Sequence, residues 1–569
     1  MVIIVLVLLL LIIGVGMTTQ QGVRNRAFNL ATIRRLYFYL VALVSFIAAL
    51  VGLDNLLRNL SDAWLGSTGI SQVNSNEYLR NNIASSASVL LVATPIFLLH
   101  WGFVQRRQNE SGEPQSALRK FFLYAASGVA LGYAVANTYT LLNGIARLAL
   151  GEPLADSNIW PSDWLHLVVM TLAATLLQFY FHHVLVHDGD YGTEEGLPGT
   201  WRRIYQALVG LAGLAMLIYG ASQLIDTGWR ALIGLFYASI GAGWWQAPLA
   251  DGITFVLIGS VLVRINWLRW LRITNASQDE GKAALRRFYL YAAVVISALA
   301  ALVPTAELLR QLLLLILGSG NSSMAELLDN LATPIAYIPI GIIAWVWHWR
   351  IVRDEAAAYG ESHEGATVRR LYYYSVAAAG LVLLWLGAID LLQALLDRLL
   401  VVNQASDSAP IWVDPLAEGL SLLVVGAPIW SLHWRAMQRV ARQTDSAGNQ
   451  ERASGPRKVY LYGVALVGAL LILFYLAQVV YRLLLLALGD PNANLFSAET
   501  VDNIARSAIA AILWGVHVLA IRGDSQLGTE APEPAPAAVG EDREVLLKRI
   551  EQLENELAAA RAALAKLES

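Results

Sequence analysis

The chain has no cysteine, which excludes disulfides, thiolate metal sites and thiol nucleophiles, although it does not identify a redox compartment. Charge is also scarce: Asp, Glu, Lys and Arg make up 15% of the 569 residues, and the formal net charge is −3. A nearly neutral chain exerts no long-range pull on nucleic acid, so no such partner is expected. Glycine-rich phosphate cradles, nucleophile elbows and the zinc-binding H-E-x-x-H pattern are all missing. The sequence therefore assigns no catalytic residue, no metal ligands and no cofactor, and reads as a non-enzyme.

Apolar residues are abundant instead, at 56% of the chain, with a mean hydropathy of +0.52. Apolar runs recur from end to end, and a helix needs about 20 such residues to cross a hydrocarbon core of roughly 30 Å. The lipid bilayer is the expected surrounding. The first run, Val2 to Met17, has no basic segment before it and no small-residue cleavage site after it, so residues 1–17 read as an uncleaved transmembrane anchor. Arg24, Arg26, Arg34 and Arg35 follow this run, which places the N-terminus outside.

A basic pair followed by aromatic residues returns at an interval of about 84 residues. The pairs are Arg34-Arg35, Arg119-Lys120, Arg202-Arg203, Arg286-Arg287, Arg369-Arg370 and Arg457-Lys458. Each starts a long apolar helix, followed by a stretch rich in Gly, Asn, Asp, Ser and Pro, and then by a second apolar helix. The second helices end at His100-Trp101, His182-His183, Asn266-Trp267, His348-Trp349, His433-Trp434 and His517-Val518. This pattern predicts an all-α fold: a polytopic transmembrane bundle of six tandem two-helix hairpins over 33–107, 118–188, 201–272, 285–353, 368–442 and 456–522. Lys and Arg concentrate in the segments joining hairpins, which makes those joins cytoplasmic by the positive-inside rule. An even number of crossings per copy gives all six hairpins one orientation and leaves the C-terminus in the cytoplasm of a bacterial cell (plasma) membrane.

Residues 523–540 read as a Pro/Ala linker. Beyond them, over 541–569, Leu546, Ile550, Leu553, Leu557, Ala560, Leu564 and Leu567 alternate steps of four and three, the seam of a coiled coil. A parallel pair would place Arg549 against Glu554 and Glu556 against Arg561, so the tail predicts a homo-oligomer or recruitment of a protein partner.

The basic pairs read as interface anchors, or as cationic sites for anionic lipid headgroups, reinforced by His100, Trp101, His348, Trp349, His433 and Trp434. Histidine is also a common haem or metal ligand, but these rings lie at helix ends where an amphipathic ring suits the headgroup belt. Of the dense cluster His182, His183 and His187, only two share neighbouring helix faces. Glu307 and Asp390 occupy equivalent positions, near those of Asp54, Gln223 and Gln478, and with Asp251, Glu418 and Asp502 they form a polar layer toward the other ends of the helices.

Arg34 to Tyr39 with Pro95 to Trp101, and Arg369 to Tyr374 with Pro428 to Trp434, resemble the bacterial membrane family called domain of unknown function 5671. The fourth copy is similar over Arg286 to Tyr291 and His348-Trp349. The resemblance covers most of residues 30 to 522 and implies architecture only. Three functions remain open on sequence grounds: a scaffold or interaction protein, a transporter or channel built from parallel repeats, and a haem- or quinone-binding redox subunit.

Overall fold

The computed structural model describes residues 30–65, 75–108, 112–152, 161–237, 244–318, 323–400, 410–490 and 494–529. The expected N-terminal anchor and the coiled-coil seam lie outside the described residues. Among those described, every regular element is a helix and none is a strand.

Helices α1 (Leu30–Leu65) and α2 (Ser75–Arg106) form the first hairpin, α3 (Ala117–Ala149) and α4 (Pro161–His187) the second, and α5 (Gly196–Gly234) and α6 (Gln246–Ala276) the third. After the short α7 (Gln278–Lys282), α8 (Ala284–Ile316), α9 (Met324–Asn330) and α10 (Ala332–Tyr359) build the fourth. The fifth is α11 (His363–Leu400) with α12 (Val413–Ala441). A short α13 (Ser446–Ala453) leads into the sixth, α14 (Gly455–Ala487) with α15 (Ala498–Thr529). Among the described residues twelve helical segments are long and apolar enough to cross a membrane, and the protein is a multi-pass membrane protein.

Two compact units divide the chain, one of residues 1–305 and 322–365, the other of 306–321 and 366–569. In the first unit, Phe46 and Tyr39 of α1 meet Phe181 of α4 and Phe122 of α3 in one apolar cluster. In the second, Tyr374, Leu381 and Trp385 of α11 share a cluster with Tyr460 and Ala505 of the sixth hairpin. Within each unit, neighbouring hairpins thus pack face to face.

Within a hairpin the two backbones come very close. A Cβ on Gly220 would stand 2.7 Å from the nitrogen of Val256, and one on Gly426 would stand 2.6 Å from that of Leu384. Both glycines lie near the middle of their helices, where lipid offers no hydrophobic drive for association and close packing of small residues supplies it. First helices run to 33 or more residues, about 50 Å at 1.5 Å per residue. They outreach the apolar core, and polar groups collect at both ends. All six first helices share this length. The last helix continues to Thr529, so the segment expected to open the linker at 523 is helical instead.

Candidate functional site

Two polar layers bracket the apolar middle: one at the arginine end of the hairpins, where first helices start and second helices stop, and one at the turn end. At the arginine end, Arg119 donates through Nε and Nη2 to Asp188 at 2.9 and 2.8 Å, closing the mouth of its own hairpin. Arg286 makes the same two-pronged bond to Glu355, and Arg457 to Asp524 at 2.6 and 2.8 Å. All three arginines are essentially fully buried. Planar guanidinium suits this, because its fork matches a carboxylate.

The preceding hairpin completes each cluster. Arg119 stands over the ring of Trp101 at 5.9 Å, Arg286 over Trp270 at 4.7 Å and Arg457 over Trp434 at 5.6 Å. Gln105 and Gln438 accept further bonds from Arg119 and Arg457, at 3.1 and 2.8 Å. Phe122, Tyr289 and Tyr460, each three residues after its arginine, lie against the same indoles. In the third hairpin this role falls mainly to Trp270, one helical turn beyond the Asn266-Trp267 end marked by the sequence pattern, while Trp267 lies 6.0 Å from Arg286. The arrangement joins hairpins two by two: first with second, third with fourth, fifth with sixth.

Carboxylates in the joins bind the remaining cations. Glu113 receives the Tyr39 hydroxyl at 2.8 Å and lies 2.7 Å from Arg35. Glu451 does the same for Tyr374 and Arg370, at 2.6 and 2.8 Å. Glu194 receives Tyr124 at 2.5 Å and lies 2.8 Å from Arg202, and Glu280 receives both Arg202 and Arg203 at 2.6 Å. Burial alone would raise the Glu280 carboxyl, but the Arg203 and Arg202 guanidiniums outweigh it and hold its pKa below the ordinary value. Lys120 pairs with Asp188 and Asp190. Arg287 donates to the carbonyls of Glu355 and Gly360 at 3.1 and 2.9 Å, capping the end of α10.

For much of the set expected as lipid-headgroup or interface anchors, these contacts supply partners within the protein. Arg119, Lys120, Arg202, Arg286, Arg287 and Arg457 are enclosed by protein and meet carboxylates, carbonyls or indoles. Trp101, Trp434 and His348 are buried as well. The reason is positional: an end that faces lipid in a lone hairpin faces the next hairpin here. Arg34 and Lys458 are exposed, while Arg35, Arg203, Arg369, Arg370, His100, His433 and Trp349 are half-buried. The histidines share one local bond: Nδ1 of His100, His348, His433 and His517 lies 2.7 to 2.8 Å from the carbonyl four residues earlier. With Nδ1 carrying the hydrogen, Nε2 keeps a lone pair, and in His517 it meets the Tyr460 hydroxyl at 3.2 Å.

At the turn end the first helix of one hairpin meets the second helix of the next. Asp54 on α1 contacts Nε2 of His166 on α4 at 2.8 Å. Tyr139 and Asn143 on α3 donate to Asp251 on α6 at 2.8 and 2.6 Å. Asp226 accepts from Arg230 at 2.8 Å, and Arg230 also reaches Asp329. Asp54 and His166 border a cavity of about 330 Å³ with Arg58, Asn137, Thr140 and Asp163. Nδ1 of the buried His166 has no hydrogen-bond partner. Glu307 bonds instead to Gln311 at 2.6 Å on its own helix, so the expected polar layer is divided into local pairs rather than gathered around one cavity.

Sequence reasoning missed the acids that hold the arginine end, Asp188, Glu355 and Asp524, together with those of the joins. A signal existed: Glu113, Glu280 and Glu451 each precede the next basic pair by six residues. Nothing in the spacing marked His166. Among the described residues no cluster of three or more His, Asp or Glu is arranged to hold a metal ion.

A comparison with protein families matches residues 35–177, 203–333, 305–376 and 370–516 to the family described as Domain of unknown function (DUF5671). Three of these segments each run across two successive hairpins, the same pairs that share an arginine cluster. Among curated proteins and among solved structures nothing matches.

Proposed function

From the chain's membership of the Domain of unknown function (DUF5671) family, which brings no reaction with it, we propose that this protein is a non-enzymatic membrane scaffold that presents its hairpins and its C-terminal segment to partners. The observation that carries this reading is the division of polar groups into two end layers, separated by helix pairs whose backbones touch at Gly220 and Gly426. Acids that a transport relay would need are already bonded: Asp251 to Tyr139 and Asn143, Asp226 to Arg230. A scaffold needs fixed geometry, and buried ion pairs that cross hairpin ends supply it. Basic joins support their cytoplasmic placement in a bacterial plasma membrane, with the N-terminus outside. Self-association through residues 541–569 belongs to the same proposal.

The cavity beside Asp54 and His166 favours a second reading, transport through parallel repeats. One measurement separates the two. Protein reconstituted in liposomes carrying pH- and potassium-sensitive dyes is expected to pass protons and K⁺ no faster than empty vesicles. Flux that scales with protein and falls in Asp54→Asn would replace scaffold by transporter. Removing residues 541–569 is expected to lower oligomer size, and an unchanged size would remove the tail as the associating element.

A further inference from the structure

The junctions of first with second, second with third and fifth with sixth hairpin each take one face from either side, and among the described residues the outer faces of the first and sixth hairpins are exposed. Counting the residues that follow the first member of each basic pair makes the two faces comparable. The aromatic at the fifth position of one hairpin packs on the aromatic at the third position of the next: Tyr39 on Phe122 at 5.8 Å between ring centres, Tyr124 on Tyr205 at 5.6 Å, and Tyr374 on Tyr460 at 5.4 Å. On the sixth hairpin the fifth-position residue is Tyr462, 58% exposed; on the first hairpin the third-position residue is Tyr37, 55% exposed.

The positions around these tyrosines follow suit. Leu43 and Leu50, on the face that the first hairpin turns to the second, are 5% and 3% exposed, whereas their counterparts Leu466 and Leu473 are 61% and 69% exposed. On the receiving side, Ala126, Ala130, Met170 and Ala174 of the second hairpin are wholly buried. Their counterparts Val41, Ser45, Ser88 and Val92 line an apolar groove of about 700 Å³ between α1 and α2. The small and β-branched side chains of that groove are shaped for ridges such as those that Leu466 and Leu473 form.

We propose that the sixth hairpin of one copy docks on the first hairpin of a second copy, head to tail, with Tyr462 of one against Tyr37 of the other. With an even number of crossings per hairpin, the expected topology puts all basic pairs on one membrane face, so the second copy enters the same bilayer in the same orientation. A contact between two different faces repeats, and builds an open row or a closed ring rather than a two-fold dimer. The docking is independent of whether the array carries solute and of the C-terminal tail.

Absence of native cysteine makes the test direct. Tyr37→Cys and Tyr462→Cys are introduced singly and together into the full chain, and native membranes are treated with a short bifunctional thiol reagent. The double variant is expected to give a ladder of dimers and higher species at least fivefold above either single variant, and co-expression of the two single variants is expected to give one cross-linked dimer. An equal yield in Tyr462→Cys alone would show the sixth hairpins meeting each other and overturn the proposal. So would a monomer closed on itself, or no cross-link while both variants elute as folded protein, the result expected if lipid covers the groove. The flux assay on the same samples reads the scaffold proposal separately.

Discussion

At the arginine end one arrangement recurs, Arg119 on Asp188, Arg286 on Glu355 and Arg457 on Asp524, each roofed by a tryptophan of the hairpin before. At the turn end the partners differ from copy to copy: Asp54 meets a histidine, Asp251 a tyrosine and an asparagine, Asp226 an arginine. These three arginines are buried, whereas the second layer opens into a cavity beside Asp54. Repetition with burial marks what the three two-by-two junctions share, and divergence with access marks where individual copies are free to acquire separate roles. A buried ion pair is weak evidence for stability, yet breaking one from a single side is severe, because the surviving charge stays buried without its partner.

That asymmetry orders the expected effects. Asp188→Ala strands Arg119 and is expected to cost about 3–5 kcal/mol, read as loss of folded protein or a large drop in the unfolding temperature in detergent. A cost below that of Asp54→Ala would invert the comparison. At the turn end, His166→Ala removes one bond beside a cavity that water can enter, so about 1 kcal/mol is expected. A loss as large as that of Asp188→Ala would make both layers equally structural.

The smallest effect is one of pH. Because the folded-state pKa of Glu280 lies below its unfolded value, its contribution is complete above the ordinary carboxyl value, about 4.3, and is lost as pH falls through the lower folded value. Between pH 7 and pH 5 this group should leave stability unchanged. Below pH 4 the native protein should lose stability more steeply than Glu280→Gln, and parallel curves would show that Arg202 and Arg203 do not depend on this carboxylate.

Much of the architecture was legible because a repeated basic pair and a repeated His-Trp end are local signals that survive without any knowledge of neighbours. The same locality explains what was not legible. Arg119 and Arg286 at the start of apolar helices read as headgroup anchors, since a single hairpin has only lipid beside it. Their carboxylates are 69 residues away in each case, and no periodicity connects positions that far apart. Trp270 escaped for a related reason: the motif pointed to Trp267, and only packing shows that the residue one turn later faces Arg286 most closely. His166 belongs to no repeat, so self-comparison could not find it.

Sequence by itself determined the class of solvent and the count and order of the hairpins, because these depend on hydropathy and on the recurrence of the basic pairs along the chain. Tertiary structure decided which cations are buried between hairpins and which remain exposed, and which faces of the first and sixth hairpins are exposed among the described residues. Those outcomes depend on what stands next to a side chain in space, and a guanidinium is stable in an interior only where folding brings a carboxylate to it.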